Sequence, residues 1–210
     1  MIELYYWKTS NGHKVAICLE EMELAYRVTA VDIQKDEQFS PQFLSINPNN
    51  KIPAIVDHAP SDGLSRQEVF ESGAILLYLA EKTGLFLPKT APERMEVLQW
   101  LFWQAAGFGP MLGQAHHFNR KAPDDAHYAR ERYNKEALHL YGVLDRRLEG
   151  RDFVAGAYSI ADMMIFPWVQ RHAWQNVDLN DFPAVHSWSE RISARPAIQK
   201  AYALPDRLGI

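Results

Sequence analysis

Thr9, Ser10 and Asn11 stand together in the stretch YYWKTSNGHKVAICLEE, between an alternating apolar run and an amphipathic segment that reads as a helix starting near Gly12. Two hydroxyls and a carboxamide can each donate a hydrogen bond, and none of them competes as an acid near neutrality. A helix start behind them adds backbone amides and the positive end of a dipole, so the turn favours an anion. Many proteins use this strand–turn–helix layout to present a reactive cysteine, yet this turn holds none. The single cysteine, Cys18, falls on the apolar stripe Val15, Cys18, Leu19 and Met22 and reads as a buried, inert thiol. Taken alone, Thr9 to Gly12 are also what an ordinary helix cap is made of.

The other residues with chemical potential are less specific. Glu71-Ser72 alone is an ordinary helix start, with Ser72 as N-cap. His116, His117, Asp124, Asp125 and His127 match no standard metal spacing, because adjacent histidines on a helix point to different sides, and no metal is expected. Arg146, Arg147 and Arg151 read as a solvated helix end. One cysteine also excludes an intrachain disulfide and a cysteine-based zinc cage.

The elements that must position the turn follow from the periodicity. Ile2 to Trp7 alternates as a strand, the stripe on Val15 to Met22 makes a helix, and the β-branched run Tyr26 to Ile33 is a second, parallel strand. After a polar segment with Pro41 and Pro48, Ala54–Asp57 and Ser65–Phe70 form an antiparallel hairpin around the loop APSDG. SGAILLYLAEKTG then gives a helix that stops at Gly84. From Pro92 onward the pattern is helical: 93–118 with an interruption at Gly107 to Pro110, then 124–149, a capping-box helix from Ser159 that contains Pro167, and two shorter ones at 184–194 and 197–203. The expected domains are therefore 1–84, βαβ then ββα, and 92–210, all α, joined by a linker at 85–91.

Composition limits what such a chain can do. With 210 residues, 47% hydrophobic and 23% charged, it can bury a full core. A net charge of −4 gives no global attraction to nucleic acid or to anionic membranes. No apolar run approaches the roughly 18 residues a membrane span needs. Met1 leads directly into a strand with no signal-like core, so a cytoplasmic location is expected.

The order βαβ-ββα followed by an all-α domain, together with TSNGHK, NPNNKIPAIVD, FESGAILLYLAEKTG and SIAD, resembles the glutathione transferase superfamily over nearly the whole chain. NNKIPAIVDH, LQWLFWQAAGFGPMLGQAHHF and RERY are more narrowly similar to its bacterial Nu class of glutathione-dependent disulfide-bond reductases. The resemblance implies a thioredoxin-like N-terminal domain, glutathione as cosubstrate, small-molecule disulfides as partners, and a homodimer. It implies that Thr9, Ser10 and Asn11 act on the thiol of bound glutathione, so that no protein cysteine is required. It also implies that Glu71 and Ser72 meet the γ-glutamyl end, that Gln38 and Lys51 meet the glycine end, and that a cis Ile52–Pro53 peptide leaves the Ile52 backbone for the ligand's cysteine. Arg132, in RERY, would reach glutathione from a neighbouring subunit. Trp7, Trp103, Phe108 and His116 or His117 would line a second pocket. Two other activities fit the same family: a transferase conjugating electrophiles with Ser10 as activator, and a non-catalytic glutathione-binding regulator.

Overall fold

A computed structural model describes residues 1–61, 63 and 65–210. Asp62, within the hairpin loop expected between Ala54–Asp57 and the next strand, lies outside the described residues, as does Leu64. The chain divides into two compact units, one of Met1–Leu87 with Arg195–Ile210 and one of Pro88–Ala194. The segment 195–210 thus groups with the first unit, although its helical pattern reads as a continuation of the all-α part.

In the first unit, β1 (Ile2–Tyr6), α1 (Ser10–Glu21) and β2 (Tyr26–Ala30) are followed by the short α2 (Pro41–Leu44), then β3 (Ala54–Asp57), β4 (Gln67–Phe70) and α3 (Ser72–Thr83). The sheet order is β2-β1-β3-β4, with β1 parallel to β2 and antiparallel to β3. β1 and β3 are central and buried along their whole length, as strands covered on both faces must be. β2 ends before the expected Ile33, because the Asp32 side chain accepts the Gln34 amide and its carbonyl accepts those of Lys35 and Glu37, which turns the chain away.

Strand alternation sorts the core. Tyr5, Trp7, Ala54 and Val56 share one face with Val31, Phe43, Ile46 and Ile52. Leu4, Tyr6 and Ile55 take the other, toward α1 and α3. The returning helix α9 (Pro196–Tyr202) also packs on α1. Arg195 grips Glu21 with two hydrogen bonds of 2.6 and 2.8 Å, and the Tyr202 ring stacks on His13 at 4.3 Å. These contacts are why the tail belongs to this unit.

The second unit contains α4 (Ala91–Trp103), a π-helical turn at Gln104–Phe108, α5 (Gly109–Arg120), α6 (His127–Leu148), α7 (Ile160–Val169) and α8 (Pro183–Ser193). The π turn is the interruption expected near Pro110, which has no N–H to continue the ladder. The capping box at α7 is present: Asp162 accepts from the Ser159 amide and hydroxyl, the Val154 amide and Trp188 Nε1, all within 3.2 Å. Burial pushes this carboxyl up to about 6 despite its donors. Among the described residues no helix is long and apolar enough to cross a membrane.

Asp57, at the end of β3, contributes to the acid sensitivity of the first unit. Burial alone would raise its pKa, but the Lys82 ammonium at 2.8 Å, the Ala59 amide and the Tyr78 hydroxyl outweigh burial and hold it below the usual carboxylate range. A group depressed in the folded state stabilises above its unfolded pKa, and that contribution is lost as pH falls through the folded one. The urea midpoint is therefore expected to drop below about pH 4. Asp57→Asn should cost about 3 kcal/mol at neutral pH, by leaving the Lys82 ammonium without its carboxylate, and should flatten the acid limb.

Candidate active site

Thr9 is the N-cap of α1, with extended backbone (φ −119°, ψ 163°), and its Oγ1 accepts the Gly12 amide at 3.1 Å. Accepting leaves the hydroxyl proton of Thr9 available to a ligand. The helix therefore begins at Ser10, two residues ahead of the position read from its apolar stripe. The amide of Ser10, first in the helix, has no intrahelical acceptor. Asn11 is half-buried and Ser10 is buried, so the carboxamide is the more open of the two.

Gly12 is more than a turn glycine. A Cβ placed on it would lie 2.2 Å from the Trp7 carbonyl oxygen and 3.0 Å from the Tyr6 ring. Only hydrogen fits there, so the identity of residue 12 sets how closely the helix start approaches the end of β1. Trp7, expected at a pocket, is instead core of the first unit, where its large apolar surface is best covered. Phe108, expected beside it, is fully buried, 4.8 Å from Trp103 and 5.5 Å from Tyr141. Trp103 and His116 are half-buried, and His117 is exposed.

The sheet register brings the remaining candidates of the first unit to one edge. Tyr5 pairs with Ala54 and Ala54 with Phe70, so Thr9 to Asn11 after β1, Lys51 to Pro53 before β3, and Glu71-Ser72 after β4 leave the sheet at the same end. At the usual strand spacing these segments lie within about 10 Å of one another in the sheet direction. The parallel β2 ends at that end too, and Gln38 follows it in a short turn, Glu37–Phe39. Its side-chain Oε1 is buried without a hydrogen-bond partner among the described residues.

Each segment is held in place. The Ile52–Pro53 peptide is cis, and Ile52 is buried while Lys51 is exposed. Asn47 fixes this loop: its Nδ2 donates to the Lys51 carbonyl at 2.6 Å and its Oδ1 accepts the Asn49 amide at 2.9 Å. Sequence reasoning took NPNN only as turn chemistry and missed that role. Glu71, not Ser72, occupies the N-cap position of α3, with φ 67° and no capping bond from its side chain. A left-handed backbone at glutamate is strained, of the order of 1–3 kcal/mol, and such strain collects at ligand sites. Its carboxyl side chain is thereby free of the capping role, and Ser72 is the first helical residue.

Two buried groups complete the electrostatics. Lys14, 2% exposed, is pushed well below the usual lysine range by burial, against the opposing pull of the Glu71 carboxylate. Cys18 is fully buried, and burial followed by the nearby Glu21 charge raises its thiol far out of the reactive range. Arg132 lies in the second unit, exposed on α6, where it lines a cleft of about 740 Å³ with Met111, Tyr128, Tyr133, Lys135 and His139.

Comparison with known proteins identifies the fold that carries this site. The model of the glutathione S-transferase N-terminal domain matches residues 2–81, and that of the glutathione S-transferase C-terminal domain matches 105–196. The chain belongs to the glutathione transferase family. Its thioredoxin-like sheet and helical C-terminal part are those of the family. Among its relatives, the disulfide-bond oxidoreductase YfcG of Escherichia coli is 57% identical over 202 residues, covering 96% of this chain and 94% of that protein. The disulfide-bond oxidoreductase YghU of the same organism is 41% identical over 215 residues, covering 95% and 73%. A glutathione transferase from Burkholderia graminis, solved with two glutathione molecules per subunit, superposes with a TM-score of 0.94 at 43% identity, covering 98% and 89%. One from Pseudomonas putida, solved with one glutathione disulfide per subunit, gives 0.92 at 43% identity, covering 97% and 91%.

Glycine substitutions test how the site is built. Gly12→Ala should lower stability by about 3 kcal/mol in urea denaturation, through overpacking against Trp7. Gly107→Ala, where a Cβ meets nothing within 4 Å, should stay within about 0.5 kcal/mol of the parent. Equal effects of the two substitutions would contradict the close approach at Gly12.

Proposed function

We propose that this protein is a glutathione-dependent disulfide-bond reductase of the Nu type, working on a sulfur that glutathione brings. The observation that carries the reading is a thiolate-favouring helix start with no thiol of its own, in a chain whose only cysteine is sealed in the core. The names of the relatives YfcG and YghU and the ligands in the two solved structures support it.

In this reading Asn11, Thr9 and Ser10 donate toward the glutathione sulfur, and the α1 dipole lowers its pKa from about 8.5, so that far more than a few per cent is ionised at neutrality. The backbone of Ile52, beside Pro53, pairs with the cysteinyl part of the ligand. Glu71 faces the ammonium and Ser72 the carboxylate of the γ-glutamyl end, while Gln38 and Lys51 hold the glycine end. Arg132 acts from the neighbouring subunit of a homodimer. The domains are a glutathione-binding one, 1–84, and an all-α one, 92–210, and the setting is the reducing cytoplasm.

The chemistry is two thiol–disulfide exchanges. The glutathione thiolate attacks one sulfur of a small-molecule disulfide, forms a mixed disulfide and expels the other sulfur as a thiolate, which takes up the proton released earlier. A second glutathione thiolate attacks the glutathione sulfur of the mixed disulfide. The products are glutathione disulfide and the second thiol.

Reduction of 2-hydroxyethyl disulfide, coupled to glutathione reductase, tests this assignment. Cys18→Ala should keep the parent rate, and Asn11→Ala should lose about 100-fold, the loss usual for one preorganised donor to a developing anion. Ser10→Ala should lose less, because Ser10 is the more buried. Activity that disappears with Cys18 would assign the chemistry to a protein thiol. Conjugation of chloro-dinitrobenzene without disulfide reduction, lost on Ser10→Ala, would make the protein a conjugating transferase, and tight glutathione binding with neither activity would make it a regulator.

A further inference from the structure

The second unit carries a basic cluster that the proposed thiol chemistry does not use. The Arg171 guanidinium lies 4.1 Å from the centre of the Trp174 ring, and that of Arg120 lies 5.6 Å from it. The His116 ring is 4.7 Å away and tilted by 46°. Lys121 follows Arg120 at the end of α5. None of Arg120, Lys121 and Arg171 has an acidic partner or a side-chain hydrogen bond among the described residues. His116 registers the resulting field: burial first, then Lys121, Arg171, Arg120 and His117 in turn, all disfavour its protonated form.

Ordinary helix-end electrostatics does not balance the cluster. Arg120 and Lys121 stand at the C-terminal end of α5, and Arg171 stands just past that of α7, where cations are favoured. Each helix end supplies roughly half a negative charge, about one charge in total, against three full positive ones. The surplus is held on a rigid base. Trp174 belongs to a 3₁₀ turn, His172–Gln175, whose last residue is fully buried. Gln175 accepts the Tyr141 hydroxyl at 2.8 Å and donates to the Trp168 carbonyl at 3.0 Å. His172 Nδ1 meets the Val177 carbonyl at 2.8 Å. An arginine held over an aromatic ring is attracted by its π face and loses side-chain freedom, while its N–H groups can still reach a ligand.

We propose that Arg120 and Arg171, whose guanidiniums both lie within 5.6 Å of the centre of the Trp174 ring, form a binding site for a small oxyanion of two or more charges, carboxylate or phosphate. Bidentate, charge-assisted hydrogen bonds are what guanidinium groups offer, and among the described residues neither carboxylates nor carbonyls use these two. The site stands independently of the thiol chemistry, since neither its residues nor its ligand takes part in disulfide exchange.

Calorimetric titration of the full chain with pyrophosphate and with citrate, at low and at near-physiological ionic strength, tests the site. One saturable event per chain is expected, weakened but not abolished by salt, with a change in tryptophan emission that Trp174→Phe removes. Arg120→Gln and Arg171→Gln should each weaken binding by at least about tenfold, the loss of one charged hydrogen bond. Circular dichroism and the thermal midpoint report whether each variant folds, and exposed Arg120 serves if the Arg171 variant does not. Saturation by pyrophosphate alone assigns phosphate, and by citrate alone assigns carboxylates. No saturable binding of either, or affinity unchanged in both folded variants, overturns the proposal.

Discussion

The contact between the start of α1 and the end of β1 is the constraint on which the site depends. A helix N-terminus can stabilise an anion only if its first amides and its cap residue face the place where that anion will sit. In this chain the position is set by the missing Cβ of Gly12, which lets the helix lie against the Trp7 carbonyl. Thr9 then caps from the strand side, and of the next two residues Asn11 is the more open. The other candidate segments share that location because β1, β3 and β4 are in register and their loops leave at one end. The sheet therefore places the backbone ahead of β3 and the charge after β4 at the same end as the helix start that follows β1.

Charge inside the two units is handled in contrasting ways. Asp57 and Glu3 are carboxylates held ionised, the first by Lys82 and the second by Arg27, Thr29 and His58, in spite of burial. Asp162, with four donors but no cation, is pushed upward instead, and its value lies in closing the start of α7 against Val154 and Trp188. Cys18 follows the same desolvation logic to a different end: the fold makes the one thiol it owns inert, which leaves the helix start for a borrowed one.

Much of this was legible in the sequence where the cause is local. The cap at Ser159, the stop at Gly84 and the break near Pro110 depend on residues within a turn of one another, and the apolar stripe placed Cys18 in the core while starting α1 two residues late. The resemblance to glutathione transferases brought the candidate residues together. Features that depend on distant chain stayed hidden. Gly12 reads as turn chemistry until the Trp7 carbonyl is placed above it, and NPNN gives no sign that Asn47 pins Lys51. Glu71 could not be seen as the left-handed residue ahead of α3 without the sheet that delivers it. Trp7 and Phe108 were misread as pocket residues because aromatic character alone does not separate core from cleft. Arg120 and Arg171 come from different elements, so only their meeting on Trp174 makes them a pair.

The pKa of the glutathione thiol when bound is the most direct test of the central claim, read from thiolate absorbance in the ultraviolet as pH is varied with the Cys18→Ala protein. A helix start that acts on a borrowed sulfur should bring that thiol at least about one unit below its free value, with the shift shrinking on Asn11→Ala. A bound thiol that titrates at or above the free value would contradict it, because the turn would then hold glutathione without activating it.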